Sequence, residues 1–196
     1  MPLTLERRPG YVTRDLILAA AIERFSKNSY EETKLRDLAS DVAVDVSYVH
    51  RCFGSKEDLF VEALKEAFRP ERFIVGDGDE LKRNLAQSVI EEPLYPAAAE
   101  VNPFEIMVRS LNSEQARPIL RQLLFTEFVE PLSVKLKAPA LQRAALISAA
   151  LAGIRLFRDV LDVDSIFKDR PDDFRRLVEA VLEACLACAA GETETR

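Results

Sequence analysis

Apolar residues recur at spacings of three and four along most of the 196-residue chain, and long spans contain neither Gly nor Pro. This period is typical of amphipathic α-helices that bury one face. The first such stripe contains Leu16, Ile17, Ala20, Ala21 and Phe25. The pattern therefore predicts an all-α protein of about nine helices.

Capping residues divide the N-terminal part of the chain into short helices. Thr13, Thr33, Asp45 and Ser55 each precede an apolar-periodic run, and their side chains can accept hydrogen bonds from free backbone N–H groups. Asp58, three residues after Ser55, completes a capping-box arrangement. We expect four helices: 14–28, one that follows Thr33, one from Asp45 to about Cys52, and one that follows Ser55.

The remainder of the chain also reads as helical, with connections over 76–79 and 91–103. Pro118, Pro139 and Pro171 fall at helix starts, where the missing N–H costs little. Pro131 falls inside a helix and predicts a kink. The predicted helices lie near 80–91, 103–112, 115–137, 139–162 and 171–190.

Two short helices, "LRDLASDV" and "DVSYVHRCF", are separated by a short turn and fit a helix-turn-helix. The second helix needs a buried face, for which Val44, Val49 and Phe53 are available, and an outward face that can meet base edges and phosphates. Lys56 lies in the first turn of the helix that follows Ser55, beside free backbone N–H groups, where a phosphate could bind. The candidate DNA contacts are Thr33, Lys34, Val46, Ser47, Tyr48, His50, Arg51 and Lys56.

Residues 12–64, from "TRDLILAAAIERFSKNSYEETKLRDLA" to "FGSKEDLFVEAL", resemble the tetracycline-repressor-like (TetR/AcrR) family of bacterial regulators. Phe25, the 30–33 turn, "LRDLA", Phe53 and "SKEDLF" fall in register. The resemblance implies a DNA-binding domain over 1–55 and a ligand-binding and dimerisation domain over 56–196. It also implies a homodimer that binds a palindromic operator in double-stranded DNA as a repressor and is released by a small effector.

The chain departs from the family pattern in the helix-turn-helix. Ser29, Ala43 and Ser47 stand where the family usually has Gly, and His50 stands where a tyrosine typically contacts a DNA phosphate. His50 could make that contact, with a donor strength that depends on its protonation near neutral pH. Ala43 lies in a turn that favours a positive φ, so it should carry a conformational cost.

The C-terminal half offers candidates for an effector pocket and a dimer surface. Small residues over 144–153 would let helices approach closely, and the apolar stripe over 171–190 exceeds what one domain needs. Apolar and aromatic positions of the middle helices suit a hydrophobic or aromatic effector, and they would serve equally well as ordinary core. These positions are Leu85, Val89, Phe104, Met107, Val108, Leu111, Phe125 and Phe157.

Charge and composition are compatible with a DNA-binding regulator. The net charge is −6, but residues 1–56 carry nine Lys/Arg against eight Asp/Glu, so the acidity lies elsewhere. The apolar run between Arg143 and Arg155 is shorter than the ~20 residues that span a bilayer. With no secretory signal in "MPLTLERRPGYV" and three cysteines, we expect a cytoplasmic protein.

Two other function classes compete with a DNA-binding regulator. An enzyme would need catalytic or metal-ligating clusters, and the single histidine and the "CLAC" pair at 185–188 do not form one. We therefore expect no cofactor, no metal and no catalytic residue. A helical protein-interaction module with a vestigial helix-turn-helix is the alternative, and salt-dependent DNA binding would distinguish the two.

Overall fold

The computed structural model describes residues 13–90 and 101–187, except 164, 166 and 168. Over this part the chain forms helices and no strand, as the periodicity predicted. Counting helices joined only by π-helical turns as one gives nine. The α-helical elements are α1 (Thr13–Lys27), α2 (Leu35–Asp41), α3 (Val46–Phe53), α4 (Lys56–Phe68), α5 (Gly78–Ile90), α6 (Pro103–Ser110), α7 (Ala116–Leu124), α8 (Glu130–Val134), α9 (Ala140–Arg155) and α10 (Pro171–Ala187).

The predicted caps of α3 and α4 are confirmed, and that of α2 is wrong. The Asp45 carboxylate accepts from the Ser47 N–H at 2.7 Å. Ser55 and Asp58 make the full capping box. The N-cap of α2 is Lys34, not Thr33, because the Thr33 hydroxyl turns back to donate to the carbonyl of Ser29.

The helix around Pro131 is distorted by a change in winding. A π-helical turn, Phe125–Val129, joins α7 to α8 immediately before the proline. A proline removes the N–H of an α-helical bond and crowds the carbonyl four residues earlier, and a wider turn relieves both effects. A second π-helical turn, Leu156–Val160, extends α9 and carries no proline. The predicted connection over 91–103 and the end of the 171–190 helix lie largely outside the described residues.

The described part of the chain divides into two compact units, and the first contains residues 13–69 and 101–123. Its core is aromatic: Phe25, Tyr30 and Phe60 are fully buried, and both Phe25 and Tyr30 meet the Phe60 ring edge to face at 4.8 and 5.0 Å. Helices α1 to α4 surround this cluster together with α6, which packs on α1 and α4. The cluster fixes the frame on which α2 and α3 rest.

The second unit contains the described residues of 70–90 and 124–187. Its core joins α5, α8, α9 and α10 through Leu85, Leu132, Ile147 and Leu182. Buried arginines complete the packing by hydrogen bonding to helix ends. Arg143 donates to the carbonyl of Leu186 at 2.8 Å, and Arg158 to the last carbonyls of α5, including Ile90 at 3.1 Å. Such bonds satisfy carbonyls that a helix end leaves open.

Candidate nucleic-acid interface

The turn between α2 and α3 has the hydrogen bonds of a Schellman motif. The Val44 N–H bonds to the carbonyl of Ala39 at 2.9 Å, and the Ala43 N–H bonds to that of Ser40 at 3.2 Å. Ala43 occupies the left-handed position of the motif with φ +52°. The turn therefore keeps a glycine-type geometry although the residue is an alanine.

Helix α3 is held by its inner face and by both ends. Val49 and Phe53 are buried, as expected, whereas Val44 is only half-buried. The Arg14 guanidinium lies over the Phe53 ring, 4.6 Å from its centroid. At the N-terminus, hydrogen bonds from Ser47 lower the pKa of the capping Asp45 carboxyl. These contacts fix the orientation of α3 and therefore the position of its outward face.

The outward face of α3 presents a polar and aromatic surface. Ser47, His50 and Arg51 are exposed, and Val46 and Tyr48 are half-buried. The Arg51 guanidinium lies over the Tyr48 ring at 5.2 Å from its centroid. This pair combines a planar donor with an aromatic face, both suited to bases and phosphates. The structure brings these five predicted residues onto one accessible helix.

The other three candidates are placed less uniformly. Lys34 is exposed at the start of α2. Thr33 is buried with its hydroxyl on the Ser29 carbonyl, so its side chain does not offer a surface contact, and that prediction is corrected. The Lys56 ammonium lies 4.2 Å from the centroid of the Tyr30 ring, and burial lowers its pKa. A phosphate contact by Lys56 would start from this cation–π position.

Ion pairs between helices support the helix-turn-helix, and the sequence interpretation missed them. Arg24 of α1 bonds both carboxylate oxygens of Asp41 at the end of α2, one of them at 2.8 Å. Arg14 of α1 pairs with Glu62 of α4. Charged residues that flank the apolar stripe of α1 are the only sequence signal for these pairs, since their partners lie on other helices.

The eight effector candidates fall in both units. In the first, Phe104 meets Phe68 edge to face at 5.3 Å, Met107 and Val108 are half-buried, and Leu111 is exposed. In the second, Leu85 and Val89 are buried in the core. Phe125 and Phe157 are 46% and 53% exposed, and both lie in π-helical turns. Together with the equally exposed Leu111, these are the candidates that do not serve as buried core.

The described residues give little indication of a metal site, a cysteine pair or a membrane span. Among the described residues no group of three or more His, Cys, Asp or Glu is placed to hold a metal. Cys185 is buried in the second core, as expected of a small hydrophobic residue, and Cys188 lies outside the described residues. One helix, Ala140–Val160, is long and apolar enough to cross a membrane, but it carries the buried Arg143, Arg155 and Arg158 and packs on α5 and α10.

Helices α2 and α3 form a short pair with a buried inner face and a polar outer face, and the pair packs on α1 and α4. This arrangement defines a helix-turn-helix protein. Residues 17–63 match the family model described as bacterial regulatory proteins, tetR family. Residues 79–186 match the model of the tetracyclin repressor-like C-terminal domain. The chain belongs to the TetR family of transcriptional regulators, whose members bind DNA.

Known proteins resemble the chain to different extents. An uncharacterized HTH-type transcriptional regulator of Bacillus subtilis, YezE, is 40% identical over 50 residues, which is 26% of each chain. The structure of Salmonella enterica GusR matches with a TM-score of 0.65 and 19% identity over 93% of this chain and 99% of that one. NalD, the secondary repressor of the MexAB-OprM multidrug efflux pump in Pseudomonas aeruginosa, matches with a TM-score of 0.62 and 20% identity, covering 89% and 96%. At these identities the two structures share the fold.

Proposed function

We propose that the protein is a cytoplasmic repressor that binds a palindromic operator as a homodimer and is released by a small hydrophobic or aromatic effector. One observation carries the proposal: α3 exposes Ser47, His50 and Arg51 while Val49 and Phe53 bury its other side. Side chains of this kind on a firmly anchored helix suit the major groove. The proposed function requires no catalytic group.

Exposed apolar side chains of the second unit support the homodimer. On α10, Leu177 and Val181 are 66% and 50% exposed, and Ala180 and Ala184 lie on the same side. Their spacing forms a second apolar stripe, beside the one that Val178 and Leu182 bury. On α9, Ala145, Leu146 and Ala149 are also exposed.

These two stripes would pair across a two-fold axis, where small residues allow close approach. A dimer of this kind would present two copies of α3. Half-sites about one DNA turn apart, ~34–36 Å, would then form a palindrome. The repressor role is supported by what is typical of the family and by the structural neighbour NalD, which is itself a repressor.

Release by an effector requires a connection from the ligand to the DNA-binding helices, and α6 supplies one within the first unit. Arg109 of α6 donates to the carbonyl of Ser26 at the end of α1 at 2.5 Å, and Ser113 hydrogen bonds to Glu31. Three effector candidates, Phe104, Met107 and Val108, lie on α6. A ligand that favours another position of α6 would therefore shift α1 and α4, and with them α3.

The proposal is tested by selecting the DNA duplexes that the intact protein binds from a pool of random sequence. The bound sequences are then titrated by fluorescence anisotropy at several salt concentrations. Recovery of a palindrome whose affinity falls steeply with salt supports a dimeric operator-binding protein, since phosphate contacts release counterions. Absence of enrichment, with weak binding that is equal for all sequences, contradicts it.

A further inference from the structure

His50 and Gly54 are joined by two hydrogen bonds at the end of α3. The Gly54 N–H donates to the His50 carbonyl at 2.8 Å, and His50 Nδ1 lies 2.8 Å from the Gly54 carbonyl oxygen. Gly54 is the C-cap of α3, with φ +81°. The imidazole of His50 therefore caps the C-terminal end of α3, the recognition helix of the helix-turn-helix.

This bond determines which ring nitrogen carries the proton. A carbonyl oxygen only accepts hydrogen bonds, so Nδ1 must be the donor. A neutral imidazole has one N–H group, and its second nitrogen is then an acceptor. With Nδ1–H held by Gly54, the Nε2 atom of neutral His50 has a lone pair and no proton to offer.

A DNA phosphate also only accepts hydrogen bonds. Neutral His50 would thus turn a lone pair toward any phosphate it met, whereas the imidazolium would donate from Nε2 and retain the bond from Nδ1. His50 is exposed and shares its face with Ser47 and Arg51, so it is placed for such a contact. It also lies in the last turn of α3, where a helix end favours a cation.

We propose that His50 is a proton-dependent phosphate contact, so that operator binding takes up a proton at each half-site. The inference rests on the proposed DNA-binding function and goes beyond it, because it makes the affinity depend on pH. A phosphate stabilises the imidazolium, so the complex binds more protons than the free protein near neutral pH. Affinity is then greatest at the acidic end of that range and is lost as the pH rises.

Several charged groups around α3 contact uncharged side chains. Arg51 lies over Tyr48, Lys56 over Tyr30, and Asp58 accepts from Ser55. His50 is the single histidine of the sequence, so a proton taken up near neutral pH is assigned to it by substitution. The charged residues of α3 and of the elements packed on it are Arg14, Asp15, Glu23, Arg24, Lys27, Arg36, Asp37, Asp41, Asp45, Arg51, Lys56, Glu57, Asp58, Glu62, Lys65 and Glu66.

The ring can be observed without DNA. In protein labelled with ¹⁵N-histidine and carrying no histidine tag, one imidazole gives the whole signal. We expect a pyrrole-type shift for Nδ1 and a pyridine-type shift for Nε2 in the neutral form. This is opposite to the tautomer that free histidine prefers. The Nε2–H tautomer in the neutral protein would overturn the inference.

Two substitutions separate the two nitrogens in binding experiments. His50→Asn keeps an amide donor near the position of Nδ1 and removes Nε2. His50→Gln places an amide donor near the position of Nε2, and that donor needs no added proton. The selected operator duplex is titrated with the wild-type protein and both variants from about pH 6 to about pH 8, a range in which imidazole changes its charge.

The wild-type protein should lose about tenfold in affinity per half-site over this range, and the two variants should show little pH dependence. His50→Gln should bind more tightly than His50→Asn at the alkaline end. Equal pH dependence of wild type and His50→Asn, with operator binding intact, would overturn the inference alone. No operator binding by the wild type at any pH or salt concentration would instead overturn the proposed function on which it rests.

Discussion

Ala43 is the residue at which the sequence and the backbone of the helix-turn-helix disagree most. Its φ of +52° lies in the left-handed region, where a Cβ crowds the following carbonyl. The hydrogen bonds of the Schellman motif and the burial of Val49 and Phe53 hold the turn in place despite this cost. Conformational strain is thus stored next to the recognition helix.

We predict that Ala43→Gly stabilises the protein by about 1 kcal/mol, because glycine adopts the left-handed region without a Cβ penalty. Ala43 is exposed, so the change removes no core packing. Urea unfolding measures the difference. The control is Ala67→Gly, an equal change within α4, which should cost about 1 kcal/mol. Destabilisation by both substitutions would show that Ala43 is not strained.

At this scale the sequence predicted what depends on neighbours along the chain. The caps at Asp45 and Ser55 followed from local position, whereas the positive φ of Ala43 was implied by the family resemblance; the structure confirms all three. The failure at Thr33 has a local cause too, since the preceding turn at Ser29 competes for its hydroxyl. The bond between His50 and Gly54 depends on a side-chain rotamer, which no residue pattern specifies.

Among the helices described, α4 has a full capping box at its N-terminus. The Ser55 hydroxyl accepts from the Asp58 N–H at 3.0 Å, and the Asp58 carboxylate accepts from the Ser55 N–H at 3.1 Å. These bonds satisfy backbone donors that a helix start leaves open. They also set the direction in which α4 leaves α3, since only Gly54 and Ser55 separate the two helices.

We predict that Ser55→Ala lowers the free energy of unfolding by about 1 kcal/mol, the usual cost of losing an N-cap side chain. Thermal or urea denaturation gives the value. Ser40→Ala, at an exposed position within α2, should change the stability little or raise it slightly, because alanine favours helix. Equal effects of the two substitutions would argue against the capping box as a stabilising feature.

Helix existence and most boundaries followed from periodicity and caps, and interruptions inside helices did not. Pro131 predicted a distortion, but not the π-helical turn Phe125–Val129 that precedes it. The turn Leu156–Val160 has no proline and gave no sequence signal. Winding changes of this type depend on tertiary packing, which a one-dimensional pattern does not contain.

For the whole molecule, the division into packing units differs from a simple cut of the chain. Residues 101–123 belong with the N-terminal helices in the first unit, because α6 packs on α1 and α4. Contacts between segments so distant in sequence cannot be read from residue spacing. The proposed functional boundary at residue 55 therefore remains a prediction about DNA binding, and the packing units do not test it.

If the proposed homodimer forms through α10, we predict that Leu177→Glu combined with Val181→Glu converts it into a monomer. Charged side chains would have to be buried between two copies of α10, which should raise the dimer Kd at least about a hundredfold. Light scattering after size-exclusion chromatography measures the mass. Val134→Glu changes a side chain that is 83% exposed on α8 and should leave the mass unchanged. An unchanged dimer in the double variant would place the interface elsewhere.

The affinity of Arg51→Ala for the selected operator shows whether the exposed face of α3 binds DNA. Arg83→Ala, which removes an exposed arginine from α5, is the matched control. We predict that Arg51→Ala lowers the affinity at least about tenfold, and weakens its salt dependence if Arg51 contacts a phosphate. The control should bind as the wild type does. Equal affinity of the two variants, with the fold of each intact, would contradict the account.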